Sequence, residues 1–218
     1  MSYKVAIFDL DGTVLDTLED LFNSCNVALE ACGYPLRTFE EIRSFVGNGI
    51  RNLMERIVPA GTPVAEIDRV HAAFMAHYTV HSADKTAPYA GVLQLLADLR
   101  AAGVKTAVVS NKAHAATVPL CGHYFSGLFD VIAGERESEG IPKKPAPDGV
   151  FDILRTLGMA AADAVYIGDS EVDVATARNA GLDGIFVTWG FRTVEQLREA
   201  GATTIVDTTD DVKRCVLL

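Results

Sequence analysis

Short apolar runs rich in β-branched residues alternate with helical patterns along most of this chain, and this alternation strongly limits the possible folds. Six runs are typical of strands and begin near residues 5, 106, 130, 164, 184 and 203. Helix-like segments separate most of them, at 92–102, 147–157, 173–180 and 194–200. Continuous apolar strands that alternate with helices indicate a parallel sheet covered by helices on both faces. The sequence therefore predicts an α/β fold built on a parallel sheet.

One interval, residues 15–84, interrupts this alternation because it contains no convincing strand. Its apolar residues recur at helical spacing, and prolines near 35 and at 59–63 divide it into several helices. We therefore expect two domains, a core formed by residues 1–14 and 85–218, and an inserted all-helical domain of residues 15–84. Ligand sites in such sheets lie in the loops at strand carboxyl ends, so an insertion after the first strand is expected to act as a lid.

The charge balance of the chain limits its partners. The sequence has 29 acidic residues against 19 Lys and Arg, which gives a formal net charge of −10. Such a chain is not expected to bind nucleic acid or an anionic membrane surface, because both attractions depend on an excess of positive charge. An anionic substrate would require positive charge supplied locally, by a metal ion or by a few placed cations.

Other general features favour a cytoplasmic protein. The chain contains no apolar run that approaches the ~18 residues of a membrane span. With a strand beginning near Tyr3, we expect no signal peptide. Because no CxxC pair is present, we interpret the four cysteines as reduced thiols; they are Cys25, Cys32, Cys121 and Cys215.

Two aspartates directly follow the first predicted strand, in the sequence FDLDGT. Side chains alternate along an extended segment, so Asp9 and Asp11 are expected on the same side and a few ångströms apart. A hard divalent cation such as Mg²⁺ would relieve the repulsion between them. Gly12 allows a tight turn after the pair. Taken alone, this motif is more typical of an ordinary Asp-Gly turn.

Three further strand ends carry polar residues. Ser110 ends an apolar run and is followed by Asn111, whereas Lys144 lies in the proline-rich KKPAPD segment before a helix. Asp169 and Asp173 follow another strand in GDSEVD. Each has an ordinary structural interpretation, such as a turn, a solvated charge or a helix N-cap. Because the carboxyl ends of parallel strands meet at one edge, we expect these residues to converge on one crevice.

The motifs DLDGT, VVSN, KPAP and GDSEVD, in this order, resemble those of the haloacid dehalogenase superfamily of phosphohydrolases. The resemblance implies a Rossmann-like sheet with the first strand central and a helical cap over its carboxyl edge. It also implies that Asp9 attacks phosphorus and forms an aspartyl-phosphate, and that Asp11 is the general acid and base.

The resemblance further implies a Mg²⁺ cofactor. The metal would be held by Asp9, by the backbone carbonyl of Asp11, and by Asp169. Asp173 would either contact the metal through water or orient Lys144.

Other residues are expected to bind the substrate. Ser110 and Lys144 would contact phosphoryl oxygens, and the motif pattern favours Lys144 over the lysine that precedes it. Thr13 and Asn111 are expected beside them. For Lys112, a place in the same loop and a solvent-exposed position are both open.

Details of the motifs separate the members of this superfamily. Asp11 argues against dehalogenases, whose leaving group needs no proton. Thr13 favours phosphatases over mutases, which usually carry valine or isoleucine at this position. No lysine occurs between residues 15 and 84, which argues against phosphonoacetaldehyde hydrolases because they require a Schiff-base lysine there.

The segment SFVGNGIRNLMERIV resembles the specificity loop of phosphoglycolate phosphatases, and VTWGFRTVEQLREAGA resembles their C-terminal region. Gly47, Asn48 and Gly49 precede a helix whose N-terminus, together with Arg51, could receive a small carboxylate. A glycine-bounded helix start without a ligand is the alternative. We therefore expect 2-phosphoglycolate or a similar small phosphorylated metabolite as substrate. Pyrophosphate, nucleotides and sugar phosphates are the alternatives, and a phosphomutase is less favoured.

A non-enzymatic phospho-switch of the response-regulator type uses similar groups. Those modules are roughly half as long, carry no helical lid, and receive phosphate on a different strand from the acid pair. Asp9 and Asp11 lie on one strand, which favours an enzyme. The sequence leaves both a monomer and a homodimer open.

Overall fold

The computed structural model describes residues 2–218 and divides the chain into two compact units. The first unit contains the residues up to Leu15 together with Pro88–Leu218, and the second unit is Asp16–Ala87. Within the described residues, no helix combines the length and the apolar character needed to cross a membrane. The four cysteines are free thiols.

The first unit is built around a parallel sheet. The strands of the chain are β1 (Val5–Phe8), β2 (Leu15–Asp16), β3 (Ala87–Pro88), β4 (Lys105–Ala113), β5 (Val131–Glu135), β6 (Ala164–Gly168), β7 (Asp183–Val187) and β8 (Ile205–Val206). Six of them form a sheet in the order β5-β4-β1-β6-β7-β8, so β1 is central, and β2 pairs with β3 separately. The predicted α/β class with a central first strand is therefore confirmed, although β2 adds a short strand at the start of an interval expected to have none.

The register of β1 explains why its end meets the ends of its neighbours. Val5 lies opposite Lys105 of β4 on one side and opposite Ala164 of β6 on the other, both in parallel. Alternate residues of β1 enter different cores, with Ala6 and Phe8 on one face of the sheet and Val5 and Ile7 on the other. A strand buried on both faces carries no polar residue until it ends.

The second unit is helical apart from its first and last residues, Asp16 and Ala87, which belong to β2 and β3. Its helices are α1 (Leu18–Cys32), α2 (Phe39–Phe45), α3 (Ile50–Ile57) and α4 (Val64–His81). The buried faces of α1 and α4 pack against each other. The buried carboxylate of Asp20 accepts backbone N–H bonds from Lys85 and Thr86, which fixes the chain after α4.

Helices cover both faces of the sheet in the first unit. They are α5 (Val92–Ala101), α6 (His114–Tyr124), α7 (Asp148–Leu157), α8 (Glu171–Ala180), α9 (Val194–Ala200) and α10 (Thr209–Leu217). Apolar residues of α5, α6 and α10 join one core, and those of α7, α8 and α9 join the other. Two of these helices were not predicted from the sequence. They are α6, which contains Pro119 and buries only Thr117 and Cys121, and the C-terminal α10.

Candidate active site

Polar side chains gather where three neighbouring strands end. Asp9 follows β1 and Asp169 follows β6, whereas Ser110 lies in β4 at a point where its pairing with β5 becomes irregular, between Val109 and Ala113. Such irregularities redirect side chains at sheet edges. Together with Lys144 from the loop before α7, these side chains are buried.

The ammonium of Lys144 is surrounded by oxygen atoms. Its Nζ lies 2.6 Å from Oδ1 of Asp9 and 2.9 Å from Oδ1 of Asp173, and it donates to the hydroxyl of Tyr166 at 3.1 Å. Burial alone would lower the pKa of Lys144, but the charges of Asp173 and Asp9 outweigh it and raise that pKa. Lys144 is therefore a permanent cation in this cluster.

Asp173 is held by donors on both of its carboxylate oxygens. Oδ1 accepts from Lys144 and from the Tyr166 hydroxyl (2.8 Å). Oδ2 accepts from Ser170 Oγ (2.6 Å) and from the backbone N–H groups of Asp169 and Ser170. Burial raises the pKa of Asp173, but Lys144 and these hydrogen bonds outweigh it and lower the pKa, so Asp173 is ionised.

Asp169 is fixed by two donors and two glycines. Its Oδ1 accepts from the hydroxyl of Thr13 (2.8 Å), and its Oδ2 accepts from the backbone N–H of Phe191 (2.7 Å). A Cβ atom at Gly12, where φ is +94°, would lie 2.4 Å from Asp169, and one at Gly190 would lie 2.3 Å from it. Both positions therefore require glycine for Asp169 to keep its place.

The carboxylates of Asp9, Asp169 and Asp173 form a group whose ligand oxygens lie within 4.8 Å of one another. Burial and the neighbouring charge of Asp173 raise the pKa of Asp9, against the opposing effect of Lys144. The same two causes raise the pKa of Asp169 to about 7. Closely spaced buried carboxylates with one ammonium between them fit a hard divalent cation, because such a cation takes oxygen ligands and neutralises their repulsion.

The side chain of Asp11 does not belong to this carboxylate group. Its Oδ1 lies 3.3 Å from Nζ of Lys112, which is buried rather than solvent-exposed. The backbone N–H of Lys112 donates to Ser110 Oγ (3.1 Å), and the side-chain amide of Asn111 donates to the carbonyl of Lys144 (3.0 Å). The polar end of β4 therefore connects Asp11 with the loop that carries Lys144.

The residues of the second unit that are predicted to bind the substrate lie at the start of α3. Both glycines of residues 47–49 have positive φ angles, and the second immediately precedes α3. Arg51 pairs with Glu55 at 3.0 Å and also with Asp68. The guanidinium is therefore engaged by two carboxylates of its own unit.

A family model described as haloacid dehalogenase-like hydrolase matches residues 6–187, which include all of these strand ends. The chain belongs to this family. The predicted resemblance is therefore confirmed.

Individual relatives of this haloacid dehalogenase-like hydrolase match nearly its whole length. The phosphoglycolate phosphatase of Caulobacter vibrioides is 35% identical, over 97% of this chain and 90% of its own. The phosphoglycolate phosphatase of Mesorhizobium japonicum is 34% identical, over 96% and 93%. A solved structure from Lactobacillus delbrueckii subsp. bulgaricus, named as a candidate phosphoglycolate phosphatase, is 40% identical, covers 100% of this chain and 99% of its own, and has a TM-score of 0.95.

Sequence reasoning missed several residues that shape the site of this haloacid dehalogenase-like hydrolase. Tyr166 lies in the apolar strand β6, so the sequence did not indicate that its hydroxyl would reach the site. Ser170 was not among the predicted residues, although the sequence Ser-Glu-Val-Asp could have indicated the capping box that it forms with the predicted Asp173 at the start of α8. The contribution of Phe191 is a backbone N–H, and no residue type reveals such a group.

Proposed function

We propose that this haloacid dehalogenase-like hydrolase hydrolyses phosphate monoesters, with 2-phosphoglycolate or a similar small phosphorylated carboxylate as substrate. The observation that carries the proposal is the contact of 2.6 Å between Lys144 and Asp9 within the buried carboxylate group. This contact sets a nucleophilic carboxylate beside a permanent cation, which suits attack on a phosphoryl group. The names of the two curated relatives support the substrate class.

The proposed reaction has two steps, both using Asp9 and Asp11. In the first, a carboxylate oxygen of Asp9 attacks phosphorus, the bond to the ester oxygen breaks, and Asp11 gives its proton to the departing alkoxide. In the second, Asp11 takes a proton from water, the water oxygen attacks phosphorus, and the bond to Asp9 breaks to release phosphate. Lys144 stabilises negative charge on the phosphoryl oxygens in both steps.

The carboxylate group fits a Mg²⁺ ion, which Asp9, Asp169 and the backbone carbonyl of Asp11 would hold. When bound, the ion would supply charge neutralisation for the phosphoryl oxygens and the carboxylates. Asp173 suits a different role, because five donors already occupy its two oxygens. We assign it to orienting Lys144.

The remaining residues of the site support these groups. The oxygen of Ser110 accepts from the backbone of Lys112, so its hydroxyl proton can be donated to a phosphoryl oxygen. Thr13 is fully buried against Asp169, and Asn111 holds the backbone of Lys144. We therefore assign Thr13 and Asn111 to positioning these groups rather than to direct contact with the substrate.

The helical unit is proposed to act as a cap that selects the substrate, in keeping with the expected division into a core and an inserted helical domain. Its candidate substrate contacts are residues 47–49 and Arg51. For Arg51 to bind a substrate carboxylate, its pairs with Glu55 and Asp68 would have to be shared or exchanged.

Phosphate release by the purified protein with Mg²⁺ tests the proposal directly. The panel contains 2-phosphoglycolate, pyrophosphate, sugar phosphates and nucleotides. We expect 2-phosphoglycolate to lead in kcat/KM by at least about a hundredfold, roughly 3 kcal/mol of discrimination. A flat profile would remove the substrate assignment but keep the chemistry. If no ester were turned over, the non-enzymatic phospho-switch would be the better hypothesis.

The covalent step has its own test. After a rapid acid quench, mass spectrometry is expected to find one phosphoryl group on the peptide that contains Asp9. Asp9→Asn is expected to abolish both this adduct and turnover, whereas Asp98→Asn, a change of the same kind at a remote ion pair with Lys213, should retain both. Turnover that survives Asp9→Asn would remove Asp9 as the nucleophile.

A further inference from the structure

Buried positive charge is scarce in this acidic protein. Among the residues that the structure describes, three cationic side chains are buried, namely Lys112, Lys144 and Arg192, which are 8%, 5% and 5% exposed. Arg192 donates through Nε and Nη2 to both oxygens of Glu171, at 2.6 and 3.1 Å, so its charge is neutralised by a two-point pair. Lys144 is engaged by Asp9 and Asp173.

Lys112 differs from the other two in its partner. Its Nζ contacts Oδ1 of Asp11 at 3.3 Å, and Asp11 is the proposed proton donor to the leaving oxygen. The ammonium is therefore next to the place where the non-phosphoryl part of a substrate begins. An ammonium carries three N–H donors, so it can hold Asp11 and a second anion at the same time.

We propose that Lys112 determines substrate specificity by binding a carboxylate that the substrate carries on the carbon next to the ester oxygen. The proposal rests on the proposed function, since it takes Asp11 as the proton donor. In the phosphate ester of an α-hydroxy acid, a carboxylate oxygen is only three bonds from the ester oxygen. One ammonium beside Asp11 can therefore reach that carboxylate while Asp11 reaches the ester oxygen. The substrate class is then the phosphate esters of small α-hydroxy acids.

This proposal differs from recognition of the carboxylate by Arg51. The guanidinium of Arg51 already has two carboxylate partners in the helical unit, Glu55 and Asp68. Lys112, by contrast, contacts Asp11, a carboxylate that belongs to the site itself. Of the two cations, Lys112 is therefore the one placed beside the proposed proton donor.

The test compares two substrates of similar size on each enzyme form. One is 2-phosphoglycolate, and the other is 2-hydroxyethyl phosphate, in which a neutral hydroxymethyl group replaces the carboxylate. We expect Lys112→Met to reduce the ratio of kcat/KM for phosphoglycolate to that for 2-hydroxyethyl phosphate by about 10- to 100-fold, the range for a charged hydrogen bond. The reduction should lie mainly in KM, because the carboxylate is bound before and during reaction. Lys112→Arg should restore part of the ratio.

If the substitution disturbs Asp11 itself, kcat/KM falls for both substrates alike. Such a loss therefore cancels in the ratio of the two kcat/KM values. A common loss with an unchanged ratio would reduce Lys112 to a positioning residue for Asp11 and overturn the proposal. The proposal would also fail if the ratio collapsed in Arg51→Gln and not in Lys112→Met. Should Lys112→Met not fold, Lys112→Gln provides the same comparison, with residual turnover of 2-hydroxyethyl phosphate as the check of folding.

The wild-type protein separates this proposal from the proposed function. If it hydrolyses both substrates with equal kcat/KM, the carboxylate is not recognised and the role of Lys112 is refuted while the phosphatase activity stands. If it hydrolyses neither these nor any other ester, the proposed function itself fails.

Discussion

The ammonium of Lys144 lies 2.9 Å from Oδ1 of Asp173, and both side chains are buried. The loop before α7 supplies the lysine, and the first turn of α8 supplies the aspartate. Because the capping hydrogen bonds of α8 fix Asp173, the helix start also fixes the position of the charge that faces Asp9. Local helix capping and the electrostatics of the site therefore depend on one carboxylate.

Asp173→Asn is expected to reduce catalysis more than metal binding. An asparagine keeps the shape but has one acceptor oxygen, so it cannot accept both Lys144 and the donors of the α8 cap. We expect kcat/KM to fall by at least about a hundredfold, and the free energy of unfolding to fall by about 3–5 kcal/mol, because a buried ion pair loses one partner. Steady-state kinetics and urea unfolding measure these two effects.

Asp169→Asn is the matched control for Asp173→Asn. It removes a proposed metal ligand, so we expect the Kd for Mg²⁺, measured by titration calorimetry, to increase at least about tenfold. Asp173→Asn should change this Kd much less. Equal weakening of Mg²⁺ binding by both variants would identify Asp173 as a ligand and contradict its assignment to Lys144.

Tyr166→Phe is expected to destabilise the protein while leaving most of its activity. The lost hydroxyl accepts from Lys144 and donates to Asp173, and both partners are buried. A buried hydrogen bond of this kind contributes about 1–3 kcal/mol to the free energy of unfolding. Tyr3→Phe removes a solvent-accessible hydroxyl bond to Asp183 and should cost less. If urea unfolding gave the same loss of stability for both changes, the bridging hydroxyl of Tyr166 would contribute no more to the free energy of unfolding than the exposed hydroxyl of Tyr3.

The sheet could be predicted because its strands are buried on both faces. Such strands carry uninterrupted apolar runs, and the first polar residue after each run marks the strand end, as Asp9 and Asp169 do. The same reasoning failed for α6 because its sequence has no apolar stripe and includes Pro119. It also failed for β2, which is only two residues long and has no pattern of its own.

The site could be predicted only as far as side-chain type and strand position allow. The positions of Ser110 and Lys144 follow from that reasoning, but the burial of Lys112 does not. Its burial depends on the irregular end of β4 and on its contact with Asp11, which is 101 residues away in sequence. The backbone N–H of Phe191 and the close approach of Gly190 to Asp169 depend on tertiary structure in the same way.

Gly190→Ala is expected to weaken Mg²⁺ binding through Asp169. The new Cβ would lie 2.3 Å from the Cβ and 2.4 Å from Oδ2 of Asp169, so one of the two must move. We expect the Kd for Mg²⁺ to increase by about tenfold and the free energy of unfolding to fall by about 1–3 kcal/mol. Titration calorimetry and urea unfolding measure the two quantities.

Gly122→Ala is the control for that change. Gly122 lies within α6, and a Cβ there would meet nothing within 4 Å. Alanine is the better helix former, so the variant should be as stable as the wild type or up to about 1 kcal/mol more stable. Unchanged Mg²⁺ binding in both glycine variants would mean that Asp169 tolerates displacement, contrary to the expectation.

Asp130→Asn is expected to destabilise the protein in a pH-dependent manner. The Asp130 carboxylate accepts from the backbone N–H of Thr106 (3.0 Å), from Arg100 (2.8 Å) and from Lys105 (3.0 Å). Burial tends to raise the pKa of Asp130, but the Thr106 N–H and the two cations outweigh it, so the folded protein lowers this pKa. A lowered pKa stabilises the fold above the unfolded value of about 3.9, and this contribution is lost as the pH falls through the folded value.

Urea unfolding of both proteins at several pH values between 7 and 3 measures this effect. At pH 7 we expect Asp130→Asn to reduce the free energy of unfolding by about 1–2 kcal/mol, and the difference from wild type should shrink as the pH falls below about 4. Asp163→Asn removes an exposed pair with Lys4 and should change stability by less than about 1 kcal/mol throughout. A difference for Asp130→Asn that stays constant down to pH 3 would trace the effect to packing, because the charge of Asp130 would then make no contribution.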